Sequence, residues 1–142
     1  MLNIFKKSQN KNKNAEEEGF IKITALLIHA AKIDDNYSNK ERLIIINFLK
    51  SVHSEINFEE VMKKAEIEEE NSNQILKYTQ EIKKNTLKFK SMIIKILWKI
   101  ILSDDNLDAY ESNLMRRICG LLHFPDKSSG EIRLEVLKEK SS

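Results

Sequence analysis

An acidic turn between two apolar helical runs occurs twice along the chain. Ile33-Asp34-Asp35-Asn36-Tyr37-Ser38-Asn39-Lys40-Glu41 returns as Ser103-Asp104-Asp105-Asn106-Leu107-Asp108-Ala109-Tyr110-Glu111. Each copy closes one apolar run and opens the next. Repetition of a supersecondary unit constrains the fold more tightly than propensity does. A duplicated helix–turn–helix is expected, with two acidic turns inside one small domain where they can converge.

The supply of turn residues favours the same reading. Three Gly and one Pro in 142 residues leave little material for hairpins. Leu, Ile, Lys, Glu and Asn dominate instead. A chain of this length fits one domain and can bury a core without disulfides. Cys119 is the only cysteine, which rules out an internal disulfide and a Cys-based zinc site. Inside an apolar run it reads as a small core residue. The net charge of +2, from 24 basic and 22 acidic residues, is too balanced for a nucleic-acid-binding face. The longest apolar stretch, Met92 to Leu102, is broken by Lys95 and Lys99 and is too short for a membrane span. No signal-peptide pattern opens the chain, so a cytoplasmic location is expected.

Hydrophobic periodicity predicts an all-α bundle of about six to seven helices. Residues 1–14 read as a flexible basic tail with, at most, weak membrane-surface affinity, and 15–140 as the helical domain. The first helix is expected from about Ala15 to Ile33, with Glu16, Glu17 and Glu18 in its first turn. His29 falls on its wet side, as a rim or solvated residue. The second helix follows Ser38 to about His53 and reads as well buried, Leu43 included. Weaker helices follow at about Glu55–Ser72 and Asn73–Lys84, the first ending in Glu68-Glu69-Glu70, a run that reads as a solvated face. Leu87–Ser103 is apolar nearly all round and reads as central, with one wet stripe at Lys88, Ser91, Lys95 and Lys99. Its Trp98 requires an indole partner or a place at the core edge. Ala109–Leu122 and a helix from about Asp126 complete the domain, the latter using Ile132, Leu134, Val136 and Leu137.

Two explanations compete for the acidic turns. Ser38 with Glu41 has the spacing of a capping box, and Asp108 with Glu111 is its Asp version. Asp34-Asp35 and Asp104-Asp105 are not covered by capping. They sit at the C-terminal ends of apolar helices, where the macrodipole disfavours negative charge. A bound cation would offset this, and so would basic neighbours such as Arg42, Arg116 and Arg117. Asp104, Asn106 and Asp108 have the alternate spacing of an EF-hand start, but there is no Gly at the sixth position and Met115 stands at the twelfth, so an EF-hand is rejected. A nonstandard site pooling oxygens from both turns remains open beside the capped-turn reading. No paired Glu-x-x-His, H-E-x-x-H, G-x-S-x-G, P-loop or dinucleotide fingerprint is present.

The repeated frame resembles the duplicated A-D-G-x-φ-[DS]-x-x-E signature of the TerB-like family, named after tellurite-resistance proteins. Ile96-Leu97-Trp98-Lys99-Ile100-Ile101-Leu102 before the second copy is similar to the family's LLW run, and Arg116-Arg117-Ile118-Cys119-Gly120-Leu121-Leu122 to its closing helix. Met1 to Lys7 resembles the apolar-basic start of stand-alone bacterial members. The likeness spans about Phe20 to Val136. Asp35 and Asp105 replace the family Gly, and Ile33 and Ser103 the small residue before the Asp. The resemblance implies an all-helical fold with both acidic turns on one face, divalent-cation binding, and a role in stress response or metal and tellurite resistance, without enzymatic activity.

The leading expectation is therefore a non-enzymatic domain that holds Ca²⁺ or Mg²⁺ through Asp34, Glu41, Asp104, Asp108 and Glu111. Asn36, Ser38 and Asn106 are secondary oxygen donors. Asp35 and Asp105 are turn residues, because they stand where the family has Gly. The alternative is a metal-free protein–protein adaptor near the inner membrane, since a related domain occurs in membrane-anchored DnaJ-like co-chaperones. His123-Phe124-Pro125-Asp126 is not a His-Pro-Asp motif, so no J-domain activity follows. Protein partners are expected, and nucleic acid is not.

Overall fold

The computed structural model describes the backbone of residues 2–33, 37–52, 55–72, 74–103 and 109–141, and the side chains of the same residues except 2–14 and 109–111. Seven helices occur and no strand among the described residues: α1 Leu2–Ala31, α2 Asn39–Val52, α3 Phe58–Asn71, α4 Ile75–Lys83, α5 Leu87–Ile101, α6 Ala109–Leu122 and α7 Asp126–Ser141. The all-α class and the helix order match the sequence expectation. The start of α1 differs. Its helical backbone reaches back to Leu2 rather than beginning near Ala15. No Gly or Pro interrupts residues 2–18, so nothing in the chain stops the helix from extending. Glu16, Glu17 and Glu18 are thus mid-helix, and Glu17 Oε1 accepts from Lys64 Nζ of α3 at 3.4 Å.

Two helices occupy the centre. α1 packs on α2, α3, α4 and α5, and α5 packs on α1, α2, α4, α6 and α7. Residues 23–28 of α1 are all buried, so that stretch is enclosed on every side. α5 buries Ile93, Ile94, Leu97, Trp98, Ile100 and Ile101, as its composition requires. Its Lys95 stays at the surface and reaches Glu135 (3.1 Å) and Glu139 (2.9 Å) on α7. The Trp98 indole N–H donates to Ser129 Oγ of α7 at 3.0 Å inside the core, which satisfies the one polar atom of that ring. Cys119 is buried, and loss of solvation pushes its thiol up from the ordinary value.

Local signals account for the ends. Asn57 caps α3 by accepting from Glu60 N, and Thr86 caps α5 by accepting from Phe89 N. α6 closes with Phe124 N–H on Cys119 O (2.8 Å) and His123 N–H on Gly120 O (3.2 Å), with His123 at φ 55°. This is a Schellman closure with histidine in the left-handed position usually held by glycine. Phe124 is buried behind it, and Pro125 separates α6 from α7.

Some apolar residues face outward against expectation. Leu43 is 56% exposed and Leu134 62% exposed. Each stands two residues from a buried neighbour, Ile45 and Val136 respectively, and so lies across the helix from it. Neither α2 nor α7 is enclosed on both sides, so only one face of each is covered.

Candidate functional site

The first acidic turn joins α1 to α2. Its described part is a complete capping box. Ser38 Oγ accepts from Glu41 N at 3.3 Å, while Glu41 Oε1 accepts from Ser38 N at 3.1 Å and from Ser38 Oγ at 2.8 Å. Reciprocal bonds of this kind satisfy early donors of α2. Glu41 is only 5% exposed, so the box is sealed under the turn. Of the candidate carboxylate ligands, Glu41 is the one whose side chain is described, and of the secondary donors, Ser38. Asp34, Asp104 and Asp108 lie outside the described residues, as do Asp35, Asn36, Asp105 and Asn106, and the Glu111 side chain does too. Glu41 Oε1 is engaged by Ser38. Among the described residues, no three His, Cys, Asp or Glu side chains gather closely enough to hold a metal ion.

The flanks of the two turns touch. Lys40, in the first copy, donates from Nζ to Ser103 O of the second copy at 3.2 Å. Lys140 of α7 donates to the neighbouring Leu102 O. Two ammonium groups thus stand at the C-terminal end of α5, where backbone carbonyls carry partial negative charge. Asp104 and Asp105 themselves lie outside the described residues. Among the described residues, the cations on these carbonyls are lysines. Arg42 pairs instead with Glu66 of α3 through Nε at 3.2 Å, and Arg116 and Arg117 are exposed.

A second charged group closes the end of α1. Lys32 Nζ lies 2.8 Å from Glu69 Oε2, and His29 Nδ1 lies 3.4 Å from Glu69 Oε1. Glu69 is 5% exposed, so the middle of the run Glu68-Glu69-Glu70 is buried rather than solvated. The reason is that α3 packs along α1 and directs this carboxylate at the last turn of α1, where the Lys32 ammonium complements the dipole. Glu68 pairs with Lys77 at 2.9 Å, and Glu70 is exposed. His29 is a rim residue, as its position in the helix pattern implies, but with a buried acid for a partner.

Tyr37 links this group to the turn. Its hydroxyl donates to Glu66 Oε1 at 3.3 Å, and Lys32 Nζ lies 5.9 Å from its ring centroid. Loss of solvation, then the Glu66 carboxylate, push its phenol well above the ordinary range. Neither Tyr37–Glu66 nor Lys32–Glu69 was legible from sequence, because they join positions 29 and 37 residues apart with no shared motif.

A family model described as tellurite resistance protein TerB matches residues 20–134. No curated protein and no solved structure matches the chain.

Proposed function

The chain belongs to the TerB tellurite-resistance family, and from that premise we propose that it is a non-enzymatic cation-binding domain serving stress response or metal and tellurite resistance. The binding residues of this reading are Asp34, Glu41, Asp104, Asp108 and Glu111. The ion is Ca²⁺ or Mg²⁺, because carboxylate, amide and carbonyl oxygens form a hard donor set. The domain works in the cytoplasm and signals to protein partners. Its balanced charge favours neither nucleic acid nor a membrane surface, and no helix among the described residues is long and apolar enough to cross a membrane.

One observation carries the reading: the Lys40–Ser103 hydrogen bond, which ties the flank of the first acidic turn to the flank of the second. Two turns tethered in this way can pool donors that neither has alone. Glu41 supports it in a narrower sense. Its capping role pins the carboxylate on the α2 side of the turn, which limits the entropy that a ligand side chain loses on binding.

A bound cation would supply charge between the turns and fix their separation, so occupancy becomes shape. Calorimetric titration of the metal-stripped protein with Ca²⁺, Mg²⁺ and Mn²⁺ tests this, beside the Asp34→Asn/Asp104→Asn double variant. Saturable binding that the double variant loses is the expected result. No heat from the wild type, with both proteins equally folded, reduces the turns to helix caps.

The adaptor reading gains no specific support. Leu43, Ile67, Leu76, Leu87 and Leu134 are exposed, one on each of five helices. Single exposed apolar residues are ordinary on a protein surface.

A further inference from the structure

A cleft of about 280 Å³ opens between α5, α6 and α7, and none of its described lining residues belongs to either acidic turn. Its floor is apolar: Trp98, Met115 and Cys119 are 6%, 2% and 1% exposed. Its rim carries two guanidinium groups, Arg116 from α6 and Arg133 from α7. Arg133 stands with its guanidinium carbon 5.7 Å from the centroid of the Trp98 ring. Among the described residues, neither arginine has an ion-pair or hydrogen-bond partner. Elsewhere some cations are paired, as with Lys95, Lys32 and Arg42, while others, such as Arg117, stand at the surface without an ion pair among the described residues. What sets these two apart is that both line one cleft with an apolar floor, with Arg133 against the Trp98 ring.

Two further features shape the cleft. Asp126 also lines it, so the described lining holds two positive groups against one negative, and a single anionic group balances it. Gly130 lines it from within α7, and a Cβ built there meets nothing within 4 Å. Glycine weakens a helix, and here it keeps side-chain bulk out of the opening. The Trp98 ring is held in place by its bond to Ser129, which also lines the cleft, so the floor is preformed.

We propose that this cleft binds a monocarboxylate carried on a compact apolar body. The carboxylate is recognised by Arg116 and Arg133, whose planar forks match its geometry. The body rests against Trp98 and Met115. The cleft lies at the small end of ligand pockets, which limits the occupant to a small acid or to the terminal residue of a chain. This site stands independently of the cation reading.

Trp98 is the only tryptophan, so the protein gives a single indole N–H resonance at the floor of the cleft. The test follows that resonance by NMR during titration with benzoate, N-acetylleucine, benzamide and acetate. Saturable shifts are expected with benzoate or N-acetylleucine, and binding about tenfold or more weaker with neutral benzamide and with acetate, which lacks the body. Tighter binding of N-acetylleucine identifies a protein C-terminus as the source, and tighter binding of benzoate a free acid. Arg116→Gln and Arg133→Gln should each weaken binding about tenfold, Gly130→Leu should obstruct it, and Arg117→Gln, outside the cleft, should leave it unchanged. The proposal is overturned by the absence of a saturable shift with both carboxylates, by benzamide binding as well as benzoate, or by folded arginine variants that bind like the wild type.

Discussion

Thr24 is the most exposed weakness of the core at the level of single residues. Its side chain is fully buried on α1, and its Oγ1 has no hydrogen-bond partner. A buried hydroxyl left unpaired carries an uncompensated desolvation penalty. Thr24→Val keeps the shape and removes the penalty, so it should raise unfolding stability by about 1 kcal/mol in urea titration. A fall in stability would mean that the hydroxyl is satisfied in solution. Tyr37 sets a pH prediction. Its folded phenol lies above the ordinary value because of burial and then Glu66. The stabilisation is therefore complete below the unfolded value of about 10 and is lost as pH rises beyond it. Tyr78 shifts in the same direction by burial, while its hydroxyl donates to Ser72 O at 2.6 Å. Alkaline urea unfolding should show wild-type stability falling above about pH 10, with a shallower fall in Tyr37→Phe. Equal slopes would remove Tyr37 from the account. Sequence could not single out either residue, since a partner for a hydroxyl is a fact of packing.

At the level of elements, capping and closure decide where helices stop, and here local sequence was partly sufficient. The S-x-x-E spacing of Ser38 and Glu41 foretold the capping box, because both partners lie within one turn of each other. The C-terminal closure of α6 was less legible, because histidine is not the residue a left-handed position advertises. His123 at φ 55° bears a steric cost that glycine would not. His123→Gly should stabilise the protein by up to about 1 kcal/mol, offset in part by greater freedom of the unfolded chain. Thermal unfolding measures it, and a lower midpoint would show that the His123 side chain contributes contacts worth more than the strain. The start of α1 went the other way: the polar residues before Ala15 lacked anything to bury, yet nothing in them terminates a helix.

For the molecule as a whole, α1 and α5 each pack against most of the other helices. No helix can leave without uncovering one of these two centres. Unfolding should therefore be a single transition, with Trp98 fluorescence and far-UV circular dichroism following one curve. Separate midpoints would show that α5–α7 and α1–α3 are independent units. Leu97→Ala, in the buried face of α5, should cost about 2–5 kcal/mol, as large-to-small changes in packed cores do. The duplicated turn is also a molecular-scale feature. The two copies are far apart in sequence, and Lys40–Ser103 joins their flanks only because α2 packs on α5.

What the sequence determined by itself is the set of helices, their order, the duplicated frame and the family. The helices depend on periodicity within a few residues, and the frame and the family on the likeness of short motifs, and such relations survive in one dimension. The tertiary structure alone decided which charges are buried and which side chains meet. It turned Glu69 inward to Lys32 and His29, set Lys40 and Lys140 on the end of α5, and brought Arg116 and Arg133 to one cleft, with Arg133 over Trp98. The physical reason is that burial and ion pairing depend on which helix faces come together, and no residue carries that information in its near neighbours.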